Sequence, residues 1–294
     1  MPAKRSKLVV VLGPTSVGKT KLAVKLAKAF GGEIVSADSR QVYKGMDIGT
    51  GKDLKEYGPV PYHLIDVASP KTRFNLSDYQ QLAYQAIEGI IKRKKVPFLV
   101  GGSGLYLQSV IDGYNLSQTP PRKYLRAFLN FLSLNQLQRF AEKEKLKLND
   151  SDFSNKRRLI RKIELAQGKK TRPSKKARYD CLQIGLAFPK EELAERIDRR
   201  LEHRLNKEGL VEEVKKLHSN GVSWQRLDDF GLEYRFVAKY LQKELPYGEM
   251  VSKLKTASHR FAKRQLTWFK RDKRINWVNN EIEAKKLIEQ FLRP

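Results

Sequence analysis

The chain has 294 residues, enough for one large or two smaller domains, and 40% of them are hydrophobic. Lys and Arg number 59 against 32 Asp and Glu, a net charge of +27, which points to a polyanionic partner, nucleic acid before a small phosphate metabolite. The single cysteine, Cys181, excludes an internal disulfide and a cysteine-rich metal site and fits a reducing cytoplasm, and no apolar run approaches the roughly 18 residues of a membrane span.

Leu8 to Leu12 read as a buried parallel strand, apolar at every position. Gly13, Pro14, Thr15, Ser16, Val17, Gly18, Lys19 and Thr20 follow, the spacing G-x-x-x-x-G-K-[ST] of a phosphate-binding loop. Backbone N–H groups there converge on phosphate oxygens, Lys19 adds a mobile cation, and Thr20 offers a hydroxyl to Mg2+. Such a loop usually takes ATP or GTP, so nucleotide binding is one expectation. A helix from Lys19 to Phe30 should start at the loop, adding the positive end of its dipole. The apolar run that follows the basic start is too short and too quickly broken by glycine and proline to be a signal sequence.

"EIVSAD", residues 33–38, reads as a second strand with Asp38 just past its end. "YHLIDV", residues 62–67, reads as a third, edge-like because of Pro61. A helix is expected from Leu76 to Lys95, then strand, glycine turn and helix in "VPFLVGGSGLYL". Alternating strands and helices predict an α/β fold with a phosphate-loop-type parallel sheet, flanking helices and a helical insertion. The first part of the core would span 1–113, the insertion 114–180, and the second part of the core 181–294. Within the last part, "CLQIGLAF" returns to the sheet, Leu193, Ile197, Leu201 and Leu205 mark a helix, and "INWV" is a final strand.

The chemistry-bearing residues gather at strand ends. Asp38 should lie near the phosphate loop, since strand ends in such a sheet share one crevice. It could orient a magnesium ligand, take a proton, or merely cap a turn. The polar stretch Ser36 to Asp53 is long for a connection; in it Ser39, Arg40 and Gln41 could bond a base edge and Tyr43 could stack on one. The glycines around Ser103 would let another chain or a ligand approach the backbone. Arg196, Arg200 and Arg204 recur every four residues, an outward cationic face that could neutralise a leaving phosphate or stand solvated beside Glu192 and Glu195. Lys156 to Arg178 holds eleven Lys or Arg and one acid, and Val251 to Arg274 nine and one, with Phe261, Trp268 and Phe269 interleaved. Charge of that density suits an RNA backbone, while Trp268 and Phe269 read as core.

Taken together, "GPTSVGKT", "SADSRQVYKGMDIGTGK", "VGGSGLYL", "FGLEYR" and "FAKRQLTWF" resemble the bacterial tRNA dimethylallyltransferases, in order from about Leu8 to Trp277. The resemblance implies transfer of a dimethylallyl group from dimethylallyl diphosphate to the exocyclic N6 amine of the adenosine 3′ of the anticodon in tRNA. It implies a catalytic set of Asp38 as base, Arg200 near the diphosphate, and Thr15. The residues from Gly13 to Thr20 would hold the diphosphate, with Thr20 on Mg2+. Asp38, Ser39, Arg40, Gln41, Ser103, Arg126, Arg157, Arg158, Leu159, Ile160, Arg161 and Arg235 would contact tRNA. A cytoplasmic monomer that meets no membrane is expected. Three positions depart from the family pattern: Ser103 replaces a usual threonine, "GTGKD" at 49–53 replaces "GTAKP", and His259 replaces an arginine. A small-molecule kinase and a non-catalytic RNA-binding protein are the competing readings; the basic runs disfavour the first and the intact Lys19, Thr20 and Asp38 the second.

Overall fold

The structure, a computed structural model, describes residues 5–116, 122–167, 176–186 and 188–293. The chain divides into two units, Met1–Tyr114 with Lys176–Pro294, and Asn115–Lys175.

The larger unit is built on a six-stranded, all-parallel sheet. Its strands are β1 (Lys7–Leu12), β2 (Gly32–Ser36), β3 (Tyr62–His63), β4 (Val96–Gly101), β5 (Asp180–Leu186) and β6 (Ile275–Val278), in the order β3-β2-β4-β1-β5-β6. β1 lies between β4 and β5, with Leu12 opposite Gly101 and Gly185. Such a strand is covered on both faces, which is why Leu8 to Leu12 are apolar throughout and almost wholly buried. One face packs on α1 (Lys19–Ala29) and α13 (Glu281–Leu292), the other on α2 (Leu76–Lys92) and α3 (Gly104–Ile111). Asn75 starts α2 with a capping box to Asp78.

Two expected elements are shorter than the pattern suggested. The third strand covers only Tyr62–His63, because Leu64 (φ 65) and Asp66 (φ 58) turn left-handed. This swings the Asp66 carboxylate onto buried Lys52, which also holds the Asp47 carboxylate at 2.6 Å and the Tyr43 carbonyl at 2.8 Å. The ion pairs and the carbonyl satisfy an ammonium that could not otherwise be buried. The second expected helix stops at Lys92, where Arg93 caps it and Lys94 takes φ 55.

The remaining helices of this unit are α8 (Lys190–His203), which runs into a π turn at Arg204–Glu208, α9 (Leu210–Ser219), α10 (Trp224–Phe230), α11 (Leu232–Leu241) and α12 (Tyr247–Phe269). They form a further core around Leu210, Val214, Phe230, Tyr234 and Leu254. That core also takes in Val42, Tyr43 and Met46, which anchors the polar connection after β2.

The unit Asn115–Lys175 contains α4 (Lys123–Phe131), α5 (Leu134–Lys143), α6 (Asp150–Phe153) and α7 (Lys156–Ala166). They close on Leu129, Leu137, Ala141, Leu159, Ile160 and Ile163. Ser133, Asn149 and Asn155 cap successive helices, as short polar side chains at N-caps do. The expected insertion spans 114–180; residues 117–121 and 168–175 of that range lie outside the described residues, and Asp180 already belongs to β5.

Candidate active site

The C-terminal ends of β1, β2 and β4 open on a cavity of about 1220 Å³ in the larger unit. Its floor is the phosphate loop. Lys19 Nζ folds back to donate to the Pro14 carbonyl at 3.2 Å, and burial, partly offset by Asp38, lowers its pKa from 10.5 to about 8. Ser16 adopts φ 62, and its hydroxyl is buried without a hydrogen-bond partner. A buried orphan hydroxyl in a loop of convergent N–H groups suits an incoming phosphate oxygen. Thr20 lines the same cavity. Among the described residues no group of three or more His, Cys, Asp or Glu could hold a metal by itself. Thr20 and phosphate oxygens form the kind of donor set that Mg2+ accepts, since that ion keeps most of its ligands as water and phosphate.

Asp38, just beyond β2, lines the same cavity and is near enough to Lys19 to act on its charge. Its Oδ1 accepts from the Arg40 and Gln41 N–H groups at 2.8 and 3.4 Å, so the turn-capping reading describes one oxygen of the carboxylate. Ser103, at the end of β4, accepts from the Ser39 N–H at 3.0 Å. The two strand ends are thus tied together, with Asp38 and Ser103 on one rim. The glycines around Ser103 are filled by the chain itself: a Cβ at Gly101, Gly102 or Gly104 would meet Ala37, Gln265 or Trp268.

Of the three arginines Arg196 is exposed, while Arg200 and Arg204 turn inward rather than outward. Arg196 Nε donates to the Ser16 carbonyl at 3.0 Å, and its guanidinium lies over Phe188. Arg200 donates to Thr15 Oγ1 at 2.6 Å, and burial with the nearby Arg204 lowers its pKa from 12.5 to about 10. Arg204 is 3% exposed and pairs with Glu233. A cationic side chain is buried only where something pairs with it, and here the phosphate loop and Glu233 do so.

Several other expected contacts are also placed differently. Tyr43 is 3% exposed and packs edge-on against Phe230, so it cannot stack on a base. Gln41 spends its amide on the Gly51 carbonyl and its oxygen on Ser36 Oγ, while Arg40 donates to the Asp229 carbonyl over Phe230. Arg235 lines the cavity and holds Asp228 at 2.9 Å. In the smaller unit, Leu159 and Ile160 are core residues and offer no side chain to RNA, whereas Arg157 and Arg158 are exposed on the same helix. Arg126 and Arg161 both reach the buried Glu164. His259 binds Asp198 at 2.7 Å, joining α12 to α8. Phe269 is buried and Trp268 packs on the core. From the second basic run, Arg260 and Arg264 reach the cavity wall.

Two residues with strong structural claims had no role assigned from the sequence, although Gln265 stands within "FAKRQLTWF". Gln265 accepts from the Thr15 N–H and donates to the Gly102 carbonyl, both at 2.9 Å, and so clasps the phosphate loop to β4. Glu213 accepts from the N–H groups of Asp47, Ile48 and Gly49 at 2.7, 2.7 and 3.0 Å and from Tyr234 OH at 2.8 Å. That carboxylate fixes the turn Gly49–Gly51 at the cavity wall.

The family model described as IPP transferase matches residues 41–272, and that described as Isopentenyl transferase matches 6–57. A tRNA dimethylallyltransferase 2 from Treponema denticola is 49% identical, over 92% of this chain and 95% of that protein. The chain belongs to the tRNA dimethylallyltransferase family. A second relative, tRNA dimethylallyltransferase 1 from Hahella chejuensis, is 45% identical over 92% of this chain and 91% of its own. Among solved structures, the full-length tRNA isopentenylpyrophosphate transferase from Bacillus halodurans superposes with a TM-score of 0.74. It is 36% identical and covers 98% of this chain and 96% of its own.

Proposed function

We propose that the protein transfers a dimethylallyl group from dimethylallyl diphosphate to the N6 amine of the adenosine 3′ of the anticodon in tRNA, releasing diphosphate, as a monomeric cytoplasmic enzyme. The observation that carries this reading is that a phosphate loop and an aspartate line one cavity of about 1220 Å³. The diphosphate sits over Gly13–Thr20, with Lys19, Thr15 and Arg200 against its oxygens. The allylic C–O bond breaks, and its electron pair leaves with the diphosphate, whose growing charge those groups stabilise. The N6 lone pair forms the new C–N bond, and the amine proton passes to Asp38. Thr20 would help hold Mg2+, which when bound neutralises part of the diphosphate charge. Holding both partners in one cavity supplies much of the rate through orientation. An adenosine must leave its stack to enter, as base-modifying enzymes require.

The tRNA partner is supported by charge and by surface. Residues 115–175 carry sixteen Lys or Arg against five Asp or Glu. On α4 of that unit Tyr124, Phe128 and Phe131 form one stripe and are 94%, 61% and 88% exposed. Aromatic faces among cations are what unpaired RNA bases stack on. No helix among the described residues is long and apolar enough to cross a membrane. Incubation with labelled dimethylallyl diphosphate and unmodified tRNA, followed by mass spectrometry of the nucleosides, tests the reading. One prenylated adenosine per tRNA is expected; no transfer from any allylic diphosphate to any tRNA overturns it.

A further inference from the structure

Arg204 is not accounted for by the reaction as described. It begins the π turn that follows α8, one turn beyond Arg200, and it lines the same cavity. Its Nη1 makes two long contacts, 3.4 Å to the Gly49 carbonyl and 3.4 Å to Glu233 Oε1. Its Nη2 is buried and has no hydrogen-bond partner. An unmet guanidinium N–H in the interior is costly, so such a group usually awaits an acceptor.

The surroundings indicate which acceptor. Gly51 has φ +61, and a Cβ built there would collide with Arg204 Nη2 and stand 3.7 Å from Arg200 Nη1. Both guanidinium groups therefore meet behind the Gly49–Gly51 turn, which Glu213 holds in place. Arg200 is hydrogen-bonded to the phosphate loop through Thr15, so the paired cations stand at its phosphate end. Two like charges side by side repel unless an anion lies between them. Glu233 answers only part of that charge, from 3.4 Å.

We propose that Arg204 is a second cation of the diphosphate subsite, its Nη2 N–H reserved for a terminal-phosphate oxygen and acting with Arg200 as a two-arginine clamp. This rests on the reading that the phosphate loop takes the donor's diphosphate. The clamp has two consequences. Release of diphosphate and binding of the donor both depend on Arg204, whereas tRNA affinity in the absence of donor does not. The glycine at 51 is required by Arg204 and not by the turn alone.

The test is calorimetric titration of the full chain with inorganic pyrophosphate in magnesium buffer. Arg204→Lys keeps a charge beside Glu233 and removes the Nη2 donor; Arg204→Met with Glu233→Gln removes the pair without leaving a lone buried carboxylate. Pyrophosphate is expected to bind about tenfold to a hundredfold more weakly to both, as loss of a charge-assisted hydrogen bond gives. Unmodified tRNA should bind both within about twofold of wild type, a split that a merely structural role of Arg204 would not produce. Wild-type pyrophosphate affinity in both variants, with cooperative thermal melting retained, overturns the clamp and leaves the proposed reaction standing. No pyrophosphate binding by the wild-type protein overturns the clamp and the phosphate-loop reading together. Gly51→Ala supplies an independent arm. It should weaken pyrophosphate binding in the wild-type background and change it little once Arg204 is Met; an equal loss in both backgrounds counts against the contact.

Discussion

The cations of the cavity and those of the unit Asn115–Lys175 serve different ends. In the cavity the cations around the phosphate loop have assigned partners: Lys19 the Pro14 carbonyl, Arg196 the Ser16 carbonyl, Arg200 the Thr15 hydroxyl, Arg204 the Glu233 carboxylate. Among the described residues of the smaller unit most Lys and Arg stand at the surface, and the buried acids Glu164 and Asp152 draw in Arg126 and Arg161, and Lys162 and Arg158, respectively. Buried charge acts at short range in a low dielectric, so one atom out of place matters. Exposed charge acts as a sum, screened by salt. Changes in the first region should therefore be large and specific, and those in the second small and additive.

The sharpest test of the first half is Asp38→Asn. The amide keeps an oxygen to accept from Arg40 and Gln41, so the turn survives, yet it cannot take a proton. Turnover should fall by about 10²–10⁴, the usual range for loss of a general base, with tRNA affinity within about twofold. Single-turnover rates with excess enzyme measure this. Activity within threefold of wild type would remove Asp38 from the proton transfer.

Gln265→Leu should come next. It strands the Thr15 N–H and the Gly102 carbonyl, costing about 1–3 kcal/mol for the buried groups. A lowered melting temperature with weaker pyrophosphate binding is expected. Unchanged melting would show that the clasp between α12 and the phosphate loop is not structural.

These two residues also mark where sequence reading succeeds and where it stops. The phosphate loop, Asp38 and the strands around them lie within short windows whose spacing expresses their geometry. The edge strand and α2 were overextended, because left-handed residues such as Leu64 and Lys94 leave no apolar signature. Gln265 meets the loop from 250 residues away and Glu213 its turn from 164 to 166, and no local pattern encodes such encounters. Arg204 was visible as part of a four-residue repeat, but the repeat reads equally well as a solvated face. The glycine at 51 was visible as a departure from the family pattern; its steric reason is a side chain more than 150 residues later. Leu159 and Ile160 pose the opposite case. Their spacing with Ile163 is that of a buried helix face, and only the resemblance placed them on RNA.

In the smaller unit, Phe128→Ala and Tyr124→Ala test the aromatic stripe. Stacking is worth about 1–3 kcal/mol per base, so tRNA affinity should fall by about fivefold to a hundredfold for whichever residue carries a base. Turnover at saturating tRNA and thermal stability should hold, since both side chains face solvent. Full affinity in the double variant would leave the stripe without an RNA role.

Proton-linked binding gives a smaller effect in the cavity. With its pKa lowered to about 8, Lys19 is charged below that pH and neutral above it. An anion prefers the charged form, so pyrophosphate affinity should fall by about tenfold between pH 7 and pH 9 relative to Lys19→Arg, which stays charged throughout. The ratio of the two proteins cancels the titration of pyrophosphate itself. Parallel pH profiles would mean that Lys19 keeps its proton in the free protein.

The smallest effect separates two arginines that the family pattern treats alike. Arg157 is exposed on α7, and its replacement by Ala should lower tRNA affinity only a few-fold at moderate salt. The informative quantity is the salt dependence: losing one phosphate contact lowers the slope of log affinity against log salt by about 0.7–0.9. Arg126→Ala removes instead the main partner of the buried Glu164, leaving Arg161 at 3.3 Å as its remaining cation. Breaking a buried pair is strongly destabilising, so this variant should lose stability of the smaller unit and change the salt slope little. Were Arg126→Ala to melt like wild type and lower the slope, the carboxylate would be holding that arginine ready for RNA, and the contrast between assigned and summed charge would have to be redrawn inside the smaller unit itself.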